Sequence, residues 1–310
     1  MRRTPAALAV LVVTLTAAAF CLLLAPGPIA TAAPAPATET RLAGTVRLTS
    51  YNICGNMCSG PPYDAERRLA QVAAETDPGG WGADQLFLQE VCEHQYHALL
   101  DRLGPLGYAG FYSATLPAGN AAICAGHAYG NAVLVRGPVS DTADLDLTVG
   151  GEREPITVPC ALASLADRPT WSCSVHLYWD DGTLAVPEAD RLAEQARRWL
   201  DDGFAVVLGG DFNHSPRTAT LSRFYRPERG DGAHGDFTEA DESDPEYFDP
   251  AVCPAASTSA CRSGETTFGA KKLDYVFFSA PHFRAASADA LPLDTAVSDH
   301  NRLRVSATAD

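Results

Sequence analysis

Apolar and polar positions along the chain alternate between two periods, one of strands and one of amphipathic helices. Thr45 to Tyr51 alternates as a half-buried strand does and delivers Asn52 at its end. Tyr63 to Thr76 sets Leu69, Val72 and Ala73 at helical spacing behind Asp64, an N-cap residue. Gln85 to Gln89 is an apolar run ending in Glu90, and Glu93 to Leu103 reads as a helix with His94 and His97 on a solvated face. Tyr129 to Val135 is a strand with Asn131 near its start, and Trp171 to Leu177 is one with His176 near its end. Pro187 to Leu200 carries Leu192, Ala196 and Leu200 on one helical stripe. Phe204 to Leu208 reads as a buried strand that Gly209 and Gly210 stop at a turn. Asp211 and Asn213 then follow, expected on one face of an extended backbone because positions i and i+2 share a side. Arg217 to Phe224 suggests a short helix, Lys272 to Phe278 a strand, and Leu303 to Val305 a last strand behind Ser298-Asp299-His300. Asp274, embedded near the start of an apolar run, is costly there unless it has a partner.

Ahead of these elements, Arg2 and Arg3 precede an apolar stretch from Ala6 to Ala25, and Ala30-Thr31-Ala32 fits a cleavage site. Residues 1–32 therefore read as a secretory signal peptide, 33–44 as a Pro/Ala-rich lead-in and 45–310 as one domain. The alternative is a membrane anchor, since an uncleaved stretch of this length can cross a bilayer. Cleavage leaves 21 basic against 38 acidic residues, a net charge of about −17, which excludes indiscriminate binding to polyanions. Eight cysteines lie outside the signal, an even number that points to disulfides in a secreted chain. Spacing pairs Cys160 with Cys173 and Cys253 with Cys261; Cys54 with Cys92 and Cys58 with Cys124 complete the expected set. The acidic segment from Glu228 to Asp249 lacks the spacing of a calcium loop and reads as a solvated excursion, with a structural Ca²⁺ as the second reading. Tyr178 and Trp179, just after His176, are aromatics placed to contact a substrate.

Polar residues end these apolar runs in a definite order: Asn52, Gln89-Glu90, Gly130-Asn131-Ala132, His176-Leu177, Gly210-Asp211-Phe212-Asn213, Leu273-Asp274-Tyr275 and Ser298-Asp299-His300. That order resembles the endonuclease/exonuclease/phosphatase superfamily, whose members share the deoxyribonuclease I-like fold. The resemblance spans nearly the whole domain, from Asn52 to His300. It implies a four-layered α/β sandwich, two mixed β-sheets packed face to face with helices outside and the site where the strands end. It also implies that Glu90, Asn52 and Asp299 hold a divalent metal, for which hard oxygen ligands suit Mg²⁺ or Mn²⁺. By the same resemblance Asp274 orients His300 as general base, Asp211 and Asn213 position the water or phosphate, and His176 and Asn131 donate to phosphoryl oxygens.

The activity so implied is hydrolysis of a phosphoric ester. A secreted nuclease acting on DNA or RNA is the first expectation, with no stable protein partner and a monomeric state. A sphingomyelinase-type phospholipid phosphodiesterase, or a phosphoinositide or other phosphomonoesterase, is the alternative. Some family members that act on abasic DNA carry Trp before Ser-Asp-His, whereas this chain has Ala296-Val297, which argues against abasic-site repair.

Overall fold

In chain order the strands are β1 (Thr45–Asn52), β2 (Gln85–Cys92), β3 (Tyr108–Leu116), β4 (Tyr129–Arg136), β5 (Val139–Asp146) and β6 (Thr157–Leu165). They continue with β7 (Arg168–His176), β8 (Ala205–Asp211), β9 (Phe237–Glu239), β10 (Asp274–Ser279), β11 (Phe283–Ala290) and β12 (Leu303–Ala309). Among the described residues three α-helices, α1 (Ala65–Ala74), α2 (Glu93–Leu103) and α3 (Gly182–Asp201), lie between them. The computed structural model describes residues 44–56, 58, 65–230, 232–243 and 262–310, all inside the unit Thr38–Asp310. The expected signal peptide, most of the lead-in, the Asp64 cap and the Cys253–Cys261 bridge lie outside the described residues.

The strands form two six-stranded sheets, ordered β11-β12-β1-β2-β4-β3 and β5-β6-β7-β8-β10-β9. Each is mixed: β1 runs parallel to β2 and β7 parallel to β8, while the remaining pairs are antiparallel. Alternation along a strand sorts its side chains between two faces. Phe87 thus points inward with Val46, Leu48 and Val133 to meet Ala163, Val207, Val276 and Phe278 of the opposite sheet. Its neighbours Leu86 and Leu88 point outward, where Leu69 and Val72 of α1 and Leu99 and Leu103 of α2 cover them. On the other outer face Leu192, Ala196 and Trp199 of α3 pack on Val206 and Leu208, and Trp199 stacks on Trp171 at 4.4 Å. The four layers implied by the resemblance are present.

The two glycines before Asp211 do not end a strand, as their composition suggested, but lie inside β8. A Cβ on Gly209 would sit 2.4 Å from the Phe87 ring, and one on Gly210, whose φ is 155°, would sit 2.0 Å from the carbonyl oxygen of Val175. Glycine here lets the two sheets approach and lets β8 carry its register through to Asp211. Helix α3 starts at Gly182 rather than Pro187 because the Asp181 carboxylate caps it, accepting from the Thr183 amide at 2.8 Å. Arg217 to Phe224 forms only a single 3₁₀ turn, Leu221–Arg223.

Two further expectations are corrected. The described part of the acidic segment is solvated only in part: Glu228 is exposed, whereas Glu239, Asp241 and Glu242 are buried. Lys272 pairs with Asp241 and, at 3.3 Å, with Glu239, while Arg226 and Arg229 reach Glu242 at 3.1 and 2.6 Å. Protein cations therefore hold these carboxylates where a structural Ca²⁺ was the second reading. The disulfides join Cys160 to Cys173, as expected from two cysteines facing each other across β6 and β7. The remaining two are Cys54–Cys58 and Cys92–Cys124, not Cys54–Cys92 and Cys58–Cys124. Cys54 takes a left-handed φ of 51°, and the loop so started brings Cys58 back to a Cα separation of 5.6 Å.

Because the Phe87 ring is fully buried and cannot swing aside, Gly209→Ala should lower unfolding stability by about 1–3 kcal/mol, as overpacking does. Urea denaturation of Gly209→Ala, Phe87→Leu and the double variant checks this. The double variant should lose less than the two single losses together.

Candidate active site

Strand register assembles one half of the site. In the second sheet His176 pairs with Asp211 across β7 and β8, and Asp211 pairs with Asp274 across β8 and β10, so three chemistry-bearing residues stand in a row. The row is closed by His300, whose Nδ1 lies 2.9 Å from Asp274 Oδ2. Its Nε2 is thereby turned toward Asp211, 3.6 Å from Oδ2. His176 Nε2 approaches the same oxygen from the other side at 3.8 Å. Asp274 is held in place by its own amide, which donates to Thr267 Oγ1 at 2.9 Å, and Phe268 covers the His300 ring at 4.7 Å between centroids.

The first sheet supplies the other half. Asn52 and Gln89 end the parallel pair β1 and β2 side by side. Beyond Gln89 the strand does not stop but bulges between Leu88 and Val91, placing Glu90 at a φ of 58°. A bulge re-aims a side chain, and here it turns Glu90 toward Asn52, whose Nδ2 donates to Glu90 Oε1 at 2.9 Å and to Asp211 Oδ2 at 3.3 Å. Asp299 reaches the same place from the loop before β12, and Ser298 ties that loop down by donating from Oγ to the Asn52 carbonyl at 2.7 Å.

Several expected roles change in this setting. Asn52 does not turn its oxygen toward Glu90, because Oδ1 accepts the Cys54 amide at 3.0 Å; it braces Glu90 and Asp211 through its nitrogen. Asn131 does not face a phosphate: it is 2% exposed, its Oδ1 accepts the Glu90 amide at 3.3 Å and its Nδ2 donates to the Thr157 carbonyl at 3.0 Å. It stabilises the bulge that aims Glu90. Asn213 does not share an extended face with Asp211. Its φ is 56°, its amide folds back on Asp211 Oδ1 at 2.9 Å, and its Nδ2 clamps the Leu177 carbonyl at 2.9 Å. Tyr178 is 3% exposed and belongs to the core under α3, so it cannot serve as a substrate contact. Trp179 is 51% exposed, with the Arg153 guanidinium 5.1 Å over its ring. Sequence reasoning missed Glu154, a half-buried acid near enough to His176 and Glu90 to feel their charges, its carboxyl raised by burial; its loop, Gly150-Gly151-Glu152-Arg153-Glu154, carries no pattern that marks it.

Charge decides what the pocket can do. Burial drives the Asp211 carboxyl upward, with His300 opposing and Asp274 reinforcing the rise. Burial alone would lower His300, but Asp274 and Asp211 outweigh it and push the imidazole up to about 10. Burial also raises Asp299, with Glu90 adding to the effect. Among the described residues neither Glu90 nor Asp299 forms an ion pair with lysine or arginine, so two hard oxygen groups stand together without either cation beside them. That donor set fits a divalent cation of Mg²⁺ or Mn²⁺ type. The same row of Asp211, Asp274 and His300 also brings one ligand atom from each within 4.8 Å.

The sequence model described as "Endonuclease/Exonuclease/phosphatase family" matches residues 49–300. Among solved structures, the catalytic domain of human Nocturnin with bound sulfate superposes with a TM-score of 0.64 at 18% identity, over 87% of this chain and 96% of that one. A mannosyl-6-phosphatase from Bacteroides thetaiotaomicron gives 0.60 at 16%, over 85% and 99%. TDP2 from C. elegans gives 0.57 at 18%, over 87% and 77%. No curated protein matches the chain in sequence.

The Asp274–His300 pair predicts a titration. In the metal-free protein His300 should remain an imidazolium through neutral pH, and Asp274→Asn should bring its transition to lower pH. Because its folded pKa of about 10 lies above the ordinary 6.5, the pair stabilises the fold fully below about pH 6.5 and less as pH rises toward 10. Histidine NMR across that range reads both, and an unshifted His300 transition in Asp274→Asn would contradict the pairing.

Proposed function

The chain belongs to the endonuclease/exonuclease/phosphatase family and is a phosphoric ester hydrolase, and we propose that it is a secreted, divalent-metal-dependent phosphodiesterase that cleaves nucleic acid. The observation that carries the mechanism is the row Asp274–His300–Asp211, in which Nδ1 is held at 2.9 Å and Nε2, 3.6 Å from Asp211 Oδ2, is left without a hydrogen bond among the described residues. An orienting carboxylate on one ring nitrogen and a free second nitrogen is the arrangement that lets a histidine move a proton. Glu90 and Asp299 would hold the cation, with Asn52 and Asn131 fixing Glu90 from either side. When bound, the cation supplies positive charge against the phosphoryl oxygens and opposes the proton on His300. His300 Nε2 then accepts a proton from the attacking water, and Asp274 holds the resulting imidazolium. His176, across Asp211 from His300, donates to a phosphoryl oxygen, and Asp211 fixes both imidazoles in place.

Three features support the nucleic-acid reading. The disulfides fit an oxidising compartment, where polymeric nucleic acid is an available substrate. Trp179 at the exposed end of the loop after His176 offers a base-stacking face, with Arg153, paired to Asp180 at 2.6 Å, over its ring. Large exposed hydrophobics among the described residues number three, Leu106, Trp179 and Leu293, few for a membrane-inserting surface. A sugar-phosphate monoesterase is the second reading, favoured by the likeness to the mannosyl-6-phosphatase.

Purified protein assayed with DNA, RNA, sphingomyelin and a sugar phosphate, each with Mg²⁺ or EDTA, tests the proposal. Nucleic acid should be cleaved and EDTA should abolish the cleavage. His300→Ala should reduce turnover by about 10²–10⁴-fold with an unchanged circular dichroism spectrum. Cleavage of the lipid or the sugar phosphate alone would move the substrate assignment, and near wild-type turnover in His300→Ala would remove His300 from the mechanism.

A further inference from the structure

One wall of the metal pocket is sulfur. Cys54 stands two residues beyond Asn52, and its partner Cys58 lies with Sγ 3.4 Å from Glu90 Oε2 and 3.6 Å from Asp299 Oδ1. One ligand atom each from Cys54, Cys58 and Glu90 falls within 4.8 Å of the others. These spacings have a chemical meaning. In a tetrahedral site with a thiolate at about 2.3 Å and a carboxylate oxygen at about 2.0 Å from the ion, sulfur and oxygen are about 3.5 Å apart along the tetrahedron's edge. The two separations from Cys58 to Glu90 and Asp299, 3.4 and 3.6 Å, bracket that edge.

We propose that reduction of the Cys54–Cys58 disulfide opens a binding site for a soft divalent cation of zinc or cadmium type, formed by the two cysteines with Glu90 and Asp299. Cys58 is half-buried, whereas its partner Cys54 and Cys92, Cys124, Cys160 and Cys173 are buried, so Cys58 Sγ is the sulfur a reductant reaches. With a phosphine as reductant, the S–S bond breaks, phosphorus takes the oxygen of a water to become the phosphine oxide, and the two protons of that water end on Cys54 and Cys58. The incoming cation then displaces both thiol protons to solvent without further electron transfer. Thiolates select zinc-like ions, and carboxylates select magnesium-like ones. The same two carboxylates therefore serve a hard ion when the sulfurs are bonded to each other and a soft ion when they are free. The oxidised enzyme keeps its pocket for the hard ion, and the reduced one gives Glu90 and Asp299 to the soft one.

This inference rests on Glu90 and Asp299 being the pocket described for the hydrolase, but its test reads binding and not turnover. Protein reduced with a phosphine and desalted without oxygen is titrated with Cd²⁺ and followed by the thiolate-to-cadmium absorption band in the ultraviolet. Reduced wild type should develop the band to one Cd²⁺ per chain. Unreduced wild type and reduced Cys54→Ser/Cys58→Ser should lack it. Glu90→Gln keeps both thiols and needs no lost disulfide to fold; it should bind Cd²⁺ at least about tenfold more weakly. A band of equal size in the double cysteine variant would overturn the proposal, as would unchanged affinity in Glu90→Gln. A pair that stays closed under the reductant in the folded protein, shown by thiol counting, would overturn it too. Mg²⁺-dependent hydrolysis by the oxidised protein is measured separately, so a failed hydrolase reading and a failed soft-metal site give different results.

Discussion

Two carboxylates placed side by side on adjacent strands and buried together are the constraint that the rest of the site answers. The pairing of β8 with β10 puts Asp211 directly opposite Asp274, and burial makes the charging of Asp211 unfavourable. The answer is His300, whose ring lies between them with a nitrogen toward each. Burial would lower its pKa, and the charges of Asp274 and Asp211 raise it instead. The histidine is held by electrostatics as much as by packing, and its position depends on a register set by Gly209 and Gly210 some distance along the strand.

A second buried acidic group shows what a purely structural solution looks like. Glu239, Asp241 and Glu242 are buried as deeply as Asp274, and burial likewise raises Glu239. There the protein supplies its own cations: Lys272 and, from the flanking turn, Arg226 and Arg229. At Glu90 and Asp299 no lysine or arginine among the described residues does so. One acidic group is complete within the chain, and the other is open to a cation from outside. A buried ion pair is weak grounds for stability, and the contrast in partners separates the site from the scaffold.

Elements with one dominant period were legible in the sequence. Helix α2 occupies Glu93–Leu103 as its spacing predicts, and β1, β4, β7 and β10 deliver Asn52, Asn131, His176 and Asp274 near where the apolar runs place them. Strands β3, β5, β6, β9 and β11 were not; β5 is an edge strand rich in Asp and β11 is rich in alanine, so neither of those two presents a clear apolar face. The residue types of the site were legible; the atoms they present were not. Which end of the Asn52 and Asn131 amides faces the pocket depends on the Cys54 and Glu90 backbones, and these contacts come from turns and a bulge that no periodicity encodes. The cysteine partners near the site failed for the same reason, since a left-handed residue at Cys54 returns the loop on itself.

The central claim is that the chain leaves one cation position, between Glu90 and Asp299, for the ion that its chemistry requires. The most direct test is an anomalous difference map from crystals of the oxidised protein soaked in Mn²⁺. The account predicts one strong peak bounded by the carboxylates of Glu90 and Asp299, lost in Glu90→Gln. A peak centred instead among Asp211, Asp274 and His300, or no peak at all, would contradict it.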